Sequence, residues 1–328
     1  MTFSKEITNA CKGVAILMLL AHHLWWSSQS DVGFSSALFA IAKRCKLCVA
    51  FFVLLSGYGL AKSGCDWRTI LTRRIPKLLG NYWLVVAVFV PLSIFGFGVS
   101  FARVYPNGTW WHFPLQLLGL NWLCPTDGFN PTWWFMNAIV PLYLLSPGLI
   151  KVVKWDPLVA MAIAVALSGI HVILWFNIYF FIWLVPFVLG MICAEFDCFC
   201  RIKDRMAGHW FGWGGLAMIG FYFRTNYLMD GFLAFLFIIV IFDLCDYEWI
   251  KMPLSFLGRH SMNIFFVHTF YRSIWFGSSF FSNLNPFVAF MLLLTVSLLT
   301  SILLNELKVV LLRVFQNRIC RNTVRQEE

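Results

Sequence analysis

Cys11–Leu24 reads CKGVAILMLLAHHL, and every residue in it except Lys12, His22 and His23 is apolar or glycine. With its neighbours it makes an apolar run over residues 9–27, and about 20 such residues cross a bilayer as a helix. No small-residue cleavage site follows, so the run is expected to be a retained helix and not a signal peptide. An ionisable side chain inside a span costs roughly 2.5–3.5 kcal/mol at the centre, which makes Lys12 and His23 functional candidates, while His22 reads as a packing or hydrogen-bonding residue. Eleven steps of about 100° bring His23 within about 20° of Lys12, about 16 Å further along the axis, whereas His22 points about 80° away. Lys12 and His23 therefore face one side, too far apart to touch but reachable together by a long thin substrate. The same pair also suits a lysine that snorkels to headgroups and a histidine bonded to a neighbouring helix.

Working outward, the pattern repeats. Hydrophobic residues make up 60% of the 328 residues and charged residues only 12%, with a mean hydropathy of +0.76, where a soluble domain carries about 25% charged residues. The sequence predicts an all-α, polytopic membrane helix bundle. Ten spans are expected, at residues 9–27, 45–62, 79–101, 131–150, 157–175, 177–195, 211–224, 227–247, 255–275 and 286–306, with Trp110–Leu123 lying interfacially or re-entrant. Residues 1–306 read as one transmembrane domain and residues 307–328 as a basic tail along the inner leaflet. Of the 25 Lys and Arg residues, six (Lys43, Arg44, Lys46, Arg103, Arg224, Arg272) then fall outside and the other 19 inside. That asymmetry places both termini in the cytoplasm. The net charge of +10 is scattered between apolar runs, so it indicates topology and membrane lipids as partners, not nucleic acid. The ten cysteines have no zinc-ligand spacing; Cys198 and Cys200 form a CxC without a second pair, and no metal is expected.

Further motifs lie in order along the chain: FFVLLSGYGL (Phe51–Leu60), RRIPKLL (Arg73–Leu79), WWFMNAIVPLYLLSP (Trp133–Pro147) and LSFLGRHSMNIFFVHTF (Leu254–Phe270). Ser261 and His268, seven residues apart, lie within about 20° of one helix face and so can line one cavity; His268 equally suits a helix–helix hydrogen bond. Ser56 and Gly57 read as permitting close helix approach, with the Ser56 hydroxyl also placed to contact a donor. Trp133, Trp134 and Asn137 suit either an acceptor mouth or an aromatic belt. Arg73, Arg74 and Lys77 suit either phosphate binding or positive-inside retention.

Together with Lys12–His23, a basic residue followed after ten others by histidine, these motifs resemble acyltransferase family 3, multi-pass membrane enzymes that O-acylate bacterial surface polysaccharides. The basic loop resembles the family's RxxR region as Arg74-x-x-Lys77. Two departures stand out: lysine occupies position 12 where arginine is more usual, and Ile139 stands where many relatives carry glutamate. No appended esterase-like domain is visible. The resemblance implies transfer of an acyl group, acetyl from acetyl-CoA, to a hydroxyl of a cell-surface glycan or lipid-linked sugar at the bacterial inner membrane. Acyl-CoA is then a co-substrate and no cofactor is permanently bound. On this reading Arg73, Arg74 and Lys77 meet the CoA phosphates. His23, an imidazole of ordinary pKa about 6.5, takes the proton from the attacking hydroxyl. The rival reading is a transporter of a glycan or polar solute with His23 and His268 along its path, although the paired repeats common in transporters are not seen.

Overall fold

Ser4 starts the first helix by accepting a hydrogen bond from the Ile7 N–H, and α1 runs over Lys5–Ala21 before widening into a π-helical turn at His22–Trp26. The computed structural model describes residues 2–26, 36–64, 66–120, 128–174, 179–206, 209–224, 227–277, 280–281 and 283–327, without the side chains of 36, 171–174, 179, 206, 210 and 315–327. Cys65, Cys124, the side chain of Cys320 and the end of the Trp110–Leu123 segment lie outside the described residues. After α1 come α2 (Ser36–Arg44), α3 (Cys48–Lys62) and a turn α4 (Trp67–Thr69) that widens over Ile70–Arg74 into α5 (Ile75–Pro91). Two short helices follow, α6 (Phe101–Val104) and α7 (His112–Leu117). The rest is α8 (Trp134–Trp155), α9 (Pro157–Leu174), α10 (Leu184–Glu195), α11 (Cys198–Met206), α12 (Trp210–Tyr222), α13 (Asp230–Leu244), α14 (Glu248–Thr269) and α15 (Pro286–Glu327). Every regular element among the described residues is helical. The starts follow from local chemistry: Asp66 caps α4 by accepting from the Thr69 N–H at 2.8 Å, and its bonds to the Thr69 hydroxyl and N–H hold its carboxyl below the ordinary range. Asp156 caps α9 in the same way through the Leu158 N–H, with Pro157 at the first helical position, where its missing N–H is harmless.

The bundle is apolar outside as well as inside. Leu158, Phe211 and Leu303 are 79%, 73% and 69% exposed, as side chains facing lipid are. Five helical segments among the described residues are long and apolar enough to cross a bilayer: Lys5–Trp26, Trp67–Gly96, Pro131–Trp155, Tyr227–Leu244 and Pro286–Val314. Phe180–Glu195 with Cys198–Arg205, bent by 71°, makes a sixth if the pair is one broken span and not a re-entrant loop. The other four expected spans are helical but do not combine that length with that apolarity. Residues 45–62 become the 15-residue α3 and residues 211–224 the 13-residue α12. Residues 157–175 give the shorter apolar stretch Pro157–Ile170, and residues 255–275 belong to α14, which carries Lys251, Arg259, His260 and Asn263. Ten spans require these four to cross as well.

Two close crossings set the core. A Cβ on Gly13 of α1 would lie 2.2 Å from Leu254 O, and one on Gly258 of α14 would lie 1.8 Å from Asn9 O, so backbone meets backbone there as small residues allow between membrane helices. Gly57 of α3 and Gly190 of α10 repeat the device, with a Cβ at 2.1 Å from Phe187 O and 2.0 Å from Leu54 O respectively. Charged side chains sit towards the two ends of α1. At one end Lys5, Lys12, Lys62, Arg74 and Lys77 share a vestibule. At the other, Arg44 bonds Tyr222 O, Lys46 bonds the Tyr227 hydroxyl, and Arg224 grips Asp230 through two bonds of 2.5 and 2.7 Å. The Arg224 and Asp230 side chains are only 8% and 0% exposed, and a bidentate pair is what offsets the desolvation of two such charges.

Candidate active site

The glycine crossing of α1 and α14 brings two histidines together. The rings of His23 and His268 lie 5.0 Å apart, centroid to centroid. Both helices widen into π-turns at this level, over His22–Trp26 and Phe270–Trp275; such turns are rare and frequent at functional sites. His22 behaves differently from its neighbour. It is buried, its Nδ1 donates to Ala42 O at 2.8 Å, and its ring stacks on Trp26. His23 keeps partial exposure.

Two cavities open from the cationic end and stop short of the pair. The vestibule, about 870 Å³, is lined by Lys5, Lys12, Tyr58, Lys62, Arg74, Lys77 and Asp197, among others. A narrow cavity of about 140 Å³ continues inward between α1, α3, α5, α8 and α14. Phe52, Phe135, Ile139, Phe265 and Phe266 make it apolar, with Ser56, Tyr143 and Ser261 supplying hydroxyls. Lys12 lines both spaces and stands at their junction. Phe265, in the wall of the narrow cavity, packs edge-on against His268 at 6.3 Å. Arg74 and Lys77 thus line the vestibule, Ser56 and Ser261 the narrow cavity and Lys12 both, while His23 and His268 line neither and stand behind Phe265. Arg73 is exposed and lines neither cavity. Trp134, stacked on Trp183, and Asn137, buried on α8, also line neither; their helix reaches the narrow cavity through Phe135, Ile139 and Tyr143.

His268 is wholly buried and held from both ring nitrogens. Nδ1 lies 3.1 Å from Ile264 O and 2.9 Å from Phe265 O. Carbonyl oxygens only accept, so Nδ1 carries the hydrogen. Nε2 faces the Thr269 hydroxyl at 3.2 Å, which in turn reaches Thr132 Oγ1 at 3.3 Å. Thr132 donates to Asn130 Oδ1 at 2.6 Å, and Asn130 Nδ2 donates to Phe266 O at 3.0 Å. Asn130, Thr132 and Thr269 carry no sequence signal, because their partners lie in a loop and a helix about 136 residues apart.

The arrangement can attract an anion at one end and pass a thin apolar-walled chain past Lys12 as far as Phe265, behind which the two imidazoles stand. Among the described residues no group of three or more His, Cys, Asp or Glu side chains is placed to hold a metal. Residues 8–306 match the family profile of an acyltransferase domain. Nothing among the curated proteins or the solved structures matches the chain.

Proposed function

The chain belongs to acyltransferase family 3 and is a membrane acyltransferase, and we propose that it transfers acetyl from acetyl-CoA to a hydroxyl of a cell-surface glycan or lipid-linked sugar. The observation that carries this reading is Lys12, shared by a cationic vestibule and a narrow cavity that leads towards the His23–His268 pair. The anionic head of the donor suits the vestibule, where Arg74, Lys77 and Lys62 supply charge-assisted donors to phosphate. The pantetheine arm and thioester suit the narrow cavity. Beyond Phe265, at the inner end of that cavity, the acceptor oxygen attacks the thioester carbon as His23 removes the hydroxyl proton. The new C–O bond forms, the C–S bond breaks, and the proton passes to the departing CoA sulfur.

The orientation completes the proposal: ten spans in the bacterial inner membrane, both termini cytoplasmic, so that donor enters from inside and acceptor from outside. Mass spectrometry of surface glycans from cells with and without the protein tests it. An acetyl mass increment lost on deletion and restored by the wild-type gene is expected; identical glycans in both strains would rule out this acceptor class.

A further inference from the structure

The loop before α8 carries polar groups that the transfer chemistry above does not use, and they end on His268. Their hydrogen-bond directions can be worked out one by one. Asn130 faces a carbonyl with its Nδ2 and a backbone N–H, that of Thr132, with its Oδ1, so its amide has one consistent orientation. Oδ1 can only accept, and Thr132 must therefore direct its hydroxyl hydrogen to Asn130, leaving Thr132 Oγ1 as an acceptor. His268 gives its Nδ1 hydrogen to the carbonyls of Ile264 and Phe265, leaving Nε2 as an acceptor in the neutral ring. Between these two acceptors sits the Thr269 hydroxyl, with one hydrogen and a distance of 3.2–3.3 Å to each. Asn130, Thr132, His268 and Thr269 are 0–3% exposed, where a misdirected polar group costs most.

We propose that Thr269, aimed by Thr132 and Asn130, is a positioning residue for transfer: it holds Nε2 of His268 and so sets the ring against which His23 works. This rests on the acyltransferase reading above. When the Thr269 hydrogen points to Nε2, His268 is a fixed neutral ring. When it points to Thr132, Nε2 loses that donor and the ring is held from Nδ1 alone. The titratable or charged groups that face His268 are His22 and His23 from α1 and Arg272 from the continuation of its own helix; Asn130 and Thr132 of the loop are uncharged.

The test uses the full-length protein, ¹⁵N-histidine labelled, in detergent micelles, with acetyl-CoA as donor and the surface-glycan fraction as acceptor. Thr269→Val keeps shape and removes the hydroxyl. Its His268 Nε2 resonance is expected to move and kcat to fall on the order of 10²-fold, with the KM for acetyl-CoA within twofold; Thr269→Ser restores both. An Nε2 resonance unmoved in Thr269→Val, or a Ser variant as damaged as the Val variant, overturns the proposal whatever the rates are. Should Thr269→Val fail to fold, Thr269→Ala carries the same test, since it also removes the hydroxyl that faces Nε2: a moved resonance supports the proposal and an unmoved one overturns it. A wild-type protein that binds donor and transfers nothing overturns the acyltransferase reading instead, independently of the resonance.

Discussion

His22 and His23 are neighbours in the chain with different environments. The His22 ring is used up by Ala42 O and Trp26, while His23 meets His268. Replacing His23 with Ala is expected to lower the transfer rate by about 10²–10⁴-fold, the usual contribution of a general base, with acetyl-CoA binding retained. Replacing His22 with Ala removes a buried hydrogen bond worth roughly 1 kcal/mol and should lower the melting temperature while changing the rate only a few-fold. Steady-state rates and thermal melts on the two variants side by side check this. The vestibule gives a second expectation for single residues. Lys62 and Asp197 pair at 2.6 Å with half-exposed side chains, and Asp197 sits at φ 51°, a left-handed backbone rarely taken by a non-glycine residue. An exposed pair contributes only about 0–1 kcal/mol, yet its carboxylate competes with donor phosphate for Lys62. Asp197→Asn should therefore lower the KM for acetyl-CoA by roughly two- to five-fold; a raised KM would exclude this competition. Neutralising Arg74 and Lys77 together should raise it, each charge-assisted contact being worth about 1.5–3 kcal/mol, whereas Arg73→Gln should not.

Among the helices, the pairing of α1 with α14 decides whether a site exists. Gly13→Ala or Gly258→Ala places a methyl group into backbone at 2.2 and 1.8 Å, so both variants should melt earlier and lose transfer together. A methyl group added at Gly148 of α8 would meet nothing within 4 Å, and Gly148→Ala should be neutral or gain the roughly 0.5–1 kcal/mol of helix preference. Circular-dichroism melts of the three variants give the comparison. Helix pairing also marks where the sequence stops being readable. Lys12 to His23, and Ser261 to His268, are spacings along one helix, fixed by its repeat, and both are legible without a structure. The 5.0 Å meeting of His23 with His268 joins helices about 245 residues apart in sequence and depends on two glycines whose role appears only when their neighbours are known. Trp134 and Asn137 stand in a recognisable motif, but α8 turns Phe135, Ile139 and Tyr143 towards the narrow cavity instead. Ile139 occupies that wall where many relatives are expected to carry glutamate, so the cavity of this protein is apolar at that point.

Across the bundle as a unit, the distribution of charge carries the topology. Lys5, Lys62, Arg74 and Lys77 gather at the vestibule, and Arg44, Lys46 and Arg224 at the opposite end, tied to Tyr222, Tyr227 and Asp230. With the vestibule cytoplasmic, single-cysteine variants at the exposed positions 68 and 201 should react with membrane-impermeant maleimide only after the membrane is opened, and a variant at 46 in intact cells. Labelling of position 201 from outside alone would contradict the ten-span orientation. If acetyl-CoA enters at the vestibule and gives up its acetyl group beside His23, donor and acceptor need never share a compartment. Sealed proteoliposomes of known orientation, given acetyl-labelled acetyl-CoA on one side and glycan acceptor on the other, separate the two compartments. Labelled glycan and free CoA are predicted on opposite sides of the membrane, only when acetyl-CoA faces the vestibule, and no labelled glycan with His23→Ala. Equal labelling by the His23→Ala protein, or glycan crossing the membrane unacetylated, would contradict transfer beside His23.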